Sequence, residues 1–292
     1  MNPTHSRRGA ALIVVLVFAA LISSLAIAAM RTSVSGASAA AVFVNEMRAD
    51  ELGRDAAYLV AHQLQSERPE ARRGGSFVAR LPRSEVSIDY VSEMARIDVN
   101  LASPKLLAAL FAAGGADPEV AAELAGRVER ARGAARKRPS PRPTTADAPA
   151  ASPDGAAAPA FVRTEQIIDA WGLPETLYRA IHPALTVASR SAKVDPTLAE
   201  RLVVTALMQG DEERADDFME RRRRGFSSAD EALAQLPAAT RPYAGFAPAR
   251  AVRTVARVAV AHRFVRNYEF VMTVPEGAKV EARVLSWQPL NR

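Results

Sequence analysis

The feature that most constrains this chain is an uncharged apolar run over residues 10–30, which continues without a proline into an amphipathic pattern. A helix over residues 10–30 is about 30 Å long, which matches the hydrocarbon thickness of a bilayer. Beyond it, apolar residues recur at helical spacing as far as Gln65: Leu52, Ala56, Leu59, Val60 and Leu64. The pattern predicts one helix over residues 10–65, with a membrane-spanning first part and an amphipathic second part.

A short polar leader precedes the apolar run and carries Arg7 and Arg8 immediately before Gly9. Basic residues beside a membrane helix stay on the cytoplasmic side, so the rest of the chain is expected to be translocated. A secretory signal peptide is one alternative, but the run is longer than an ordinary signal-peptide core and has no clear small-x-small cleavage site. A plain N-terminal membrane anchor is the other alternative.

Short strand patterns stand on both sides of a helical middle. Residues 76–81 have a strand pattern, and alternating apolar and polar residues predict strands over 86–92, 268–274 and 280–284. Residues 252–260 are ambiguous and are interpreted as a further strand. Pro82 fits a turn between the first two strands, and residues 275–277 fit a turn between the last two. This arrangement indicates one small antiparallel sheet interrupted by an insertion, which is an α+β fold.

The helical middle contains an internal repeat. Its two units begin with similar segments, Ile97-Asp98-Val99-Asn100-Leu101-Ala102 and Val194-Asp195-Pro196-Thr197-Leu198-Ala199. Each start precedes an apolar helical pattern and then a charged helix, over residues 117–132 in the first unit and 211–224 in the second. Thr164 and Ser228 fit the N-cap of a further helix in each unit.

Two polar segments of the repeat have simple interpretations. Residues 133–160, found only in the first unit, are rich in proline, alanine and arginine without a hydrophobic pattern, which predicts a disordered loop. The arginines at 221–224 end the charged helix of the second unit. Cations there suit the helix dipole, so the run is interpreted as a solvated helix end, with a contact to a partner or a phosphate as the alternative.

Composition and motifs favour a structural protein over an enzyme. The chain has 38 Lys+Arg against 32 Asp+Glu and a formal net charge of +6, which indicates a mixed-charge surface. It contains no cysteine, so disulfides, thiol nucleophiles and cysteine metal sites are excluded. No P-loop, GxSxG or HExxH pattern occurs, and no catalytic residue is predicted. The histidines lie far apart, without metal-ligand spacing: His5, His62, His182 and His262.

A basic leader ending in glycine, followed by an apolar helix that becomes amphipathic, resembles the type IV pilin and pseudopilin family. The resemblance implies cleavage by a prepilin peptidase between Gly9 and Ala10, and N-methylation of Ala10. Most members carry a glutamate at the fifth mature position, which is Val14 here. An unpaired carboxylate in lipid is costly, so its absence suggests a subunit with no partner above it.

The missing glutamate and the doubled insertion are similar to the K-type minor pseudopilins of the type II secretion system (the general secretion pathway protein K family). The family's repeat signature is matched by Asp98, Asn100 and Ala102 in the first unit. The second unit keeps Asp195 and Ala199 but has Thr197 in place of the asparagine. On this resemblance the chain divides into a leader (1–9), a transmembrane helix (10–30), a pilin-like helix with the first strands (31–96), an inserted helical domain (97–246) and C-terminal strands (247–292).

The resemblance also implies a function and a location. The protein is expected to lie in the bacterial inner membrane as a single-pass subunit with its globular part in the periplasm. There it would assemble with the I- and J-type minor pseudopilins at the tip of the pseudopilus, and so initiate assembly for export of folded proteins. The family allows calcium, although no calcium ligands can be assigned from the sequence.

Two rival functions stay open at this point. The repeat also resembles the helix-hairpin-helix module, in which a glycine hairpin offers backbone amides to DNA phosphates, and Gly114-Gly115 occupies that place in the first unit. The second unit has only Gly210, followed by acidic residues that would repel phosphate, so nucleic acid is the less favoured partner. Within the pilin family, a minor pilin of a type IV pilus is the other rival.

Overall fold

The computed structural model describes residues 4–66, 68, 72–137, 160–166, 168, 172–261, 264–274 and 282–290, and for 4–14, 26–39 and 136–137 it describes the backbone alone. Its helices are α1 Thr4–Ser66, α2 Pro104–Ala113, α3 Pro118–Lys137, α4 Glu175–Ile181, α5 Arg201–Leu207, α6 Glu212–Arg224 and α7 Ala229–Ala234. Its strands are β1 Gly74–Leu81, β2 Ser84–Ser92, β3 Ile97–Asp98, β4 Leu185–Thr186, β5 Ala251–Val260, β6 Phe264–Thr273 and β7 Val284–Leu290.

Five strands form one antiparallel sheet in the order β1-β2-β5-β6-β7. Strands β2 and β5 are neighbours, with Ser92 opposite Val252, although the whole helical segment separates them along the chain. The short strands β3 and β4 pair in parallel within that segment. The α+β class predicted from the alternating patterns is therefore confirmed, with an antiparallel sheet and helices in separate regions.

The second half of α1 lies on one face of the sheet through small and apolar side chains. Ala49, Ala56 and Val60 are fully buried there among residues of β2, β5 and β6. At Gly53 the helix approaches so closely that an added Cβ would lie 2.8 Å from the ring of Tyr268. The Tyr268 hydroxyl donates a hydrogen bond of 2.6 Å to the Asp50 carboxylate, which fixes the helix in register with β6.

The buried apolar residues form two separate clusters that define two lobes. The sheet lobe consists of the second half of α1 and the five-stranded sheet, and its cluster includes Leu64, Ile88 and Phe270. The helical lobe comprises the described residues between Ile97 and Ala244, and its cluster joins α2, α3, α4, α5 and α6. The two clusters have no member in common, so each lobe has its own hydrophobic core.

Several predicted boundaries change. The last strand is β7, beginning at Val284, and not residues 280–284; residues 275–281 lie outside the described residues. Helix α3 continues past Gly133 to Lys137, because the alanines and cations there favour helix; most of the predicted loop, residues 138–159, lies outside the described residues. The cap predicted at Ser228 is confirmed, whereas the helix predicted after Thr164 is only partly described.

Among the residues that the structure describes, no helix is both long enough and apolar enough to cross a membrane. Side chains in two parts of the predicted membrane segment, residues 10–14 and 26–30, lie outside the described set. The transmembrane helix predicted over residues 10–30 stays a prediction.

Candidate functional site: two repeat turns and the junction between the lobes

The first repeat signature is a tight turn that leads into α2. The Asp98 carboxylate accepts hydrogen bonds from the Asn100 amide at 2.8 Å, the Ser189 hydroxyl at 3.0 Å and the Arg190 amide at 3.1 Å. Its backbone carbonyl accepts from the Ala102 amide at 2.8 Å. Burial raises the pKa of the Asp98 carboxyl, while these donors act to lower it. Asp98 therefore serves as a buried acceptor that ties the turn to the loop after β4.

Asn100 connects the same turn to the far side of the first unit. Its side-chain amide donates to the Phe161 carbonyl at 3.0 Å, and its side-chain oxygen accepts from the Phe161 amide at 2.9 Å. The Asn100 side chain thus satisfies both the backbone amide and the backbone carbonyl of Phe161, because an asparagine carries a donor and an acceptor side by side.

Replacing Asn100 by aspartate is expected to lower the free energy of unfolding by about 1–3 kcal/mol, because the donor to the Phe161 carbonyl becomes a second acceptor. Urea unfolding of the full chain in detergent, followed by circular dichroism, measures the change. Gln65→Glu makes the same chemical change at an exposed site and should stay within about 0.5 kcal/mol of the parent. An equal effect of the two substitutions would contradict the role given to Asn100.

The second repeat signature forms the same turn with different outer partners. The Asp195 carboxylate accepts from the Thr197 amide at 3.0 Å and from the Thr197 hydroxyl at 2.7 Å, while its backbone carbonyl accepts from the Ala199 amide at 3.1 Å. Its other carboxylate oxygen accepts from Nε of Arg73, outside the helical lobe, at 2.9 Å. Thr197 thus keeps the turn closed without the asparagine of the first unit.

Each turn is held by an arginine from the charged helix of its own unit. In the first unit Arg132 donates to the carbonyls of Val99 and Ala102, both at 2.6 Å. In the second unit Arg222 donates to the equivalent carbonyls, those of Pro196 at 3.3 Å and Ala199 at 2.5 Å. Burial lowers the pKa of Arg222. The prediction that residues 221–224 are a solvated helix end is therefore wrong for Arg222, which turns inward from α6.

The hairpins between the helices of each unit satisfy their own backbone amides. In the first, the amides of Gly114, Gly115 and Ala116 donate to the carbonyls of α2 at 2.9, 3.0 and 3.0 Å. In the second, the Gln209 and Gly210 amides donate to α5 at 3.1 and 2.9 Å. These bonds close the helix ends in the usual way, so these amides are already engaged within the protein.

A buried carboxylate occupies the junction between the lobes. Glu93, which follows β2 and is fully buried, accepts from Nε of Arg253 at 2.9 Å and from the Thr186 hydroxyl. Arg253 also donates to Glu269 at 2.6 Å. Burial acts to lower the pKa of Arg253, but the two carboxylates outweigh it and raise the pKa. Arg96 donates to Glu93 at 3.4 Å, and burial lowers its pKa.

Sequence reasoning found the two turns but missed their supporting residues. Glu93 follows a strand and Arg132 lies in a charged helix, and charged residues at such positions usually face water. The one available signal was the matching arginine that follows each repeat start, at Arg132 and Arg222. The residues of the predicted processing site and of the missing glutamate, Gly9, Ala10 and Val14, fall within α1, and their side chains lie outside the described part. Among the described residues, no group of three or more His, Asp or Glu side chains is arranged to hold a metal ion.

Comparison with known proteins gives a structural likeness alone. No family model and no curated protein matches the chain. A chain in the crystal structure of the GspK-GspI-GspJ complex from the enterotoxigenic Escherichia coli type 2 secretion system superposes on it with a TM-score of 0.53. The two are 12 % identical, and the match covers 86 % of this chain and 96 % of that one. At this identity the likeness concerns the fold, and the chain has a pseudopilin-like fold.

Proposed function

We propose that this protein is a K-type minor pseudopilin of a type II secretion system and acts as a structural subunit rather than an enzyme. The observation that carries the proposal is the architecture itself. A long N-terminal helix lies on a five-stranded antiparallel sheet, and a helical lobe is inserted between β2 and β5. The likeness to a chain of the GspK-GspI-GspJ complex extends over both lobes, since it covers 86 % of this chain.

The proposed location is the bacterial inner membrane, with the globular part in the periplasm. Support comes from the basic leader before the uncharged run at residues 10–30. The large apolar side chains described in that run are more than half exposed, including Val15, Phe18 and Leu25. Apolar side chains without protein neighbours suit a lipid environment or the helices of other subunits.

The proposed position is the tip of the pseudopilus, where the protein initiates assembly with the I- and J-type minor pseudopilins. Val14 stands where most family members have glutamate, which suits a subunit without a neighbour above it. The inserted helical lobe adds bulk that a close-packed helical stack could hardly contain. The likeness to a complex that includes GspI and GspJ supports partners of those types.

The proposal predicts processing at Gly9 and recovery with two partners. When the full chain is co-expressed with a prepilin peptidase and the I- and J-type subunits, mass spectrometry should find a mature chain beginning at methylated Ala10. Pull-down of the full chain from detergent extracts should recover both partners. Controls are a peptidase-inactive strain and a Gly9→Leu variant, because a bulky side chain hinders approach of the scissile bond to the enzyme.

Either part of this experiment can fail on its own. An intact Met1 with active peptidase, or cleavage at Ala29 or beyond, would contradict the pilin class. Correct processing without recovery of the I- and J-type subunits would contradict the K-type assignment and favour a minor pilin of a type IV pilus. Neighbouring genes for pilus motors rather than secretion pseudopilins would point the same way.

Neither hairpin in the described part of the helical lobe favours DNA binding. A helix-hairpin-helix module needs hairpin amides that point at phosphate, but the amides of Gly114, Gly115 and Gly210 donate to carbonyls of their own helices. The second hairpin is followed by Asp211 and Glu212, whose charges repel phosphate.

A further inference from the structure

Polar side chains connect the two lobes: the buried Glu93 carboxylate accepts from the Thr186 hydroxyl, and the partly exposed Arg73 pairs with the buried Asp195. The sheet-lobe cluster and the helical-lobe cluster have no common member. The chain crosses between them at the buried turn Glu93–Ala95 and again before β5. At the first crossing Met94 and Ala95 are buried and the Met94 carbonyl accepts from the Asp195 amide at 2.7 Å, and the side chains that bind across the junction are polar.

The first polar connection is centred on Glu93. One of its carboxylate oxygens accepts from Nε of Arg253 on β5, in the sheet lobe, at 2.9 Å. The other accepts from the hydroxyl of Thr186 on β4, in the helical lobe. Arg253 is itself anchored by Glu269 of the neighbouring strand at 2.6 Å. A single buried carboxylate thus binds both lobes at once.

The second polar connection uses the repeat turn of the second unit. Arg73, just before β1, donates to Asp195 at 2.9 Å and to the Thr197 hydroxyl at 2.6 Å. The Arg73 backbone carbonyl accepts from the Ser92 amide at 2.7 Å, so the arginine is held at the sheet. In the first unit the equivalent carboxylate, Asp98, binds Ser189 and Arg190 within its own lobe. The two turns are alike, but only the second binds the other lobe.

We propose that Glu93 and Asp195 are two latches that set the orientation of the helical lobe on the sheet lobe. Buried ion pairs add little net stability, because desolvation offsets their attraction, but removing one partner leaves the other charge unpaired. Charge-assisted hydrogen bonds from arginine to a carboxylate also add geometric specificity to the contact between the lobes. Loss of a latch frees the angle between the lobes while each lobe keeps its own core.

Spin labels test this directly, since the chain has no cysteine and introduced pairs are unique. The pair Glu51→Cys on α1 and Glu119→Cys on α3 reports the distance between the lobes. The pair Glu119→Cys and Glu213→Cys reports a distance within the helical lobe. All three positions are exposed. Double electron–electron resonance on the full chain in detergent should give one narrow distance for each pair in the parent. Glu93→Gln, Asp195→Asn or Arg73→Gln should broaden or split the first distance and leave the second narrow.

The matched control is Glu123→Gln, which removes a carboxylate from an exposed ion pair with Arg127 inside α3 and should change neither distance. Narrow inter-lobe distances in all three latch variants would overturn the proposal. Broadening of both distances would also overturn it, because the latches would then hold the helical lobe folded rather than oriented. If Glu93→Gln does not fold, Arg73→Gln decides, since Arg73 lies at the edge of the junction and is 35 % exposed. The measurement uses the isolated chain, so its result does not depend on the proposed assembly.

Discussion

Replacing Phe270 by alanine is expected to lower the free energy of unfolding of the sheet lobe by about 3–5 kcal/mol. Phe270 is fully buried on β6 among the residues that pack under α1, and its ring stacks on Trp287 of β7 with centroids 5.2 Å apart. The substitution removes buried apolar surface and leaves a cavity that the antiparallel strands cannot close without breaking their register.

Thermal and urea unfolding of the full chain in detergent measure this loss. Phe43→Ala is the matched control, because Phe43 is 61 % exposed on α1 and its truncation should change stability by less than about 0.5 kcal/mol. A loss below about 1 kcal/mol for Phe270→Ala would mean that α1 and the sheet do not share the core described here.

The second large effect is expected at Arg132. In Arg132→Met the carbonyls of Val99 and Ala102 lose their donor while remaining buried, so the free energy of unfolding should fall by about 2–4 kcal/mol. Arg222→Met removes the equivalent donor from a more open site, and its effect should be smaller. Each arginine donates to two carbonyls, so the difference between the two losses in unfolding free energy measures the effect of burial on the contribution of each arginine.

Arg130→Met is the control for the Arg132 substitution, because Arg130 lies on the same helix, α3, with its side chain exposed. Chemical unfolding should leave this variant within about 0.5 kcal/mol of the parent. If Arg130→Met and Arg132→Met were equally destabilised, the cause would be the helix itself and not the carbonyl contacts. Arg132→Lys should restore part of the loss only, since lysine lacks the forked geometry that reaches two carbonyls.

The strands of the sheet were largely predictable from the sequence. The strand patterns located β1 and β2 within a few residues, and the ambiguous segment interpreted as a strand is β5. In β2 and β5 buried side chains alternate, because one face of each packs under α1 while the other stays more open. The prediction failed at β7, where the strand runs to Leu290 through Pro289. A proline usually argues against a strand, but β7 is an edge strand, where a missing amide donor is tolerated.

The carboxylates of the two repeat turns could be predicted from the sequence, but the arginines that bind the turns and the lobe junction could not. Asp98 and Asp195 could be found because they occupy the same place in the two units of the repeat. In the structure each carboxylate accepts from the amide two residues further on, which is a local contact. Arg132, Arg222 and Arg253 act on groups far away along the chain, and charge alone does not tell which arginine of a helix turns inward. In the structure Arg221, Arg223 and Arg224 pair with glutamates, whereas Arg222 reaches the carbonyls of the turn.

The position of the insertion has a consequence for how such proteins can diversify. Because Ser92 lies directly opposite Val252, the chain leaves and re-enters the sheet about one strand spacing apart, near 5 Å. Without the helical lobe, the five strands would follow one another as a simple up-and-down meander, each joined to its neighbour by a hairpin. Residues can therefore be added to or removed from the helical lobe, or its repeat duplicated, while the hydrogen bonds of the sheet and the sheet face on which α1 packs stay unchanged.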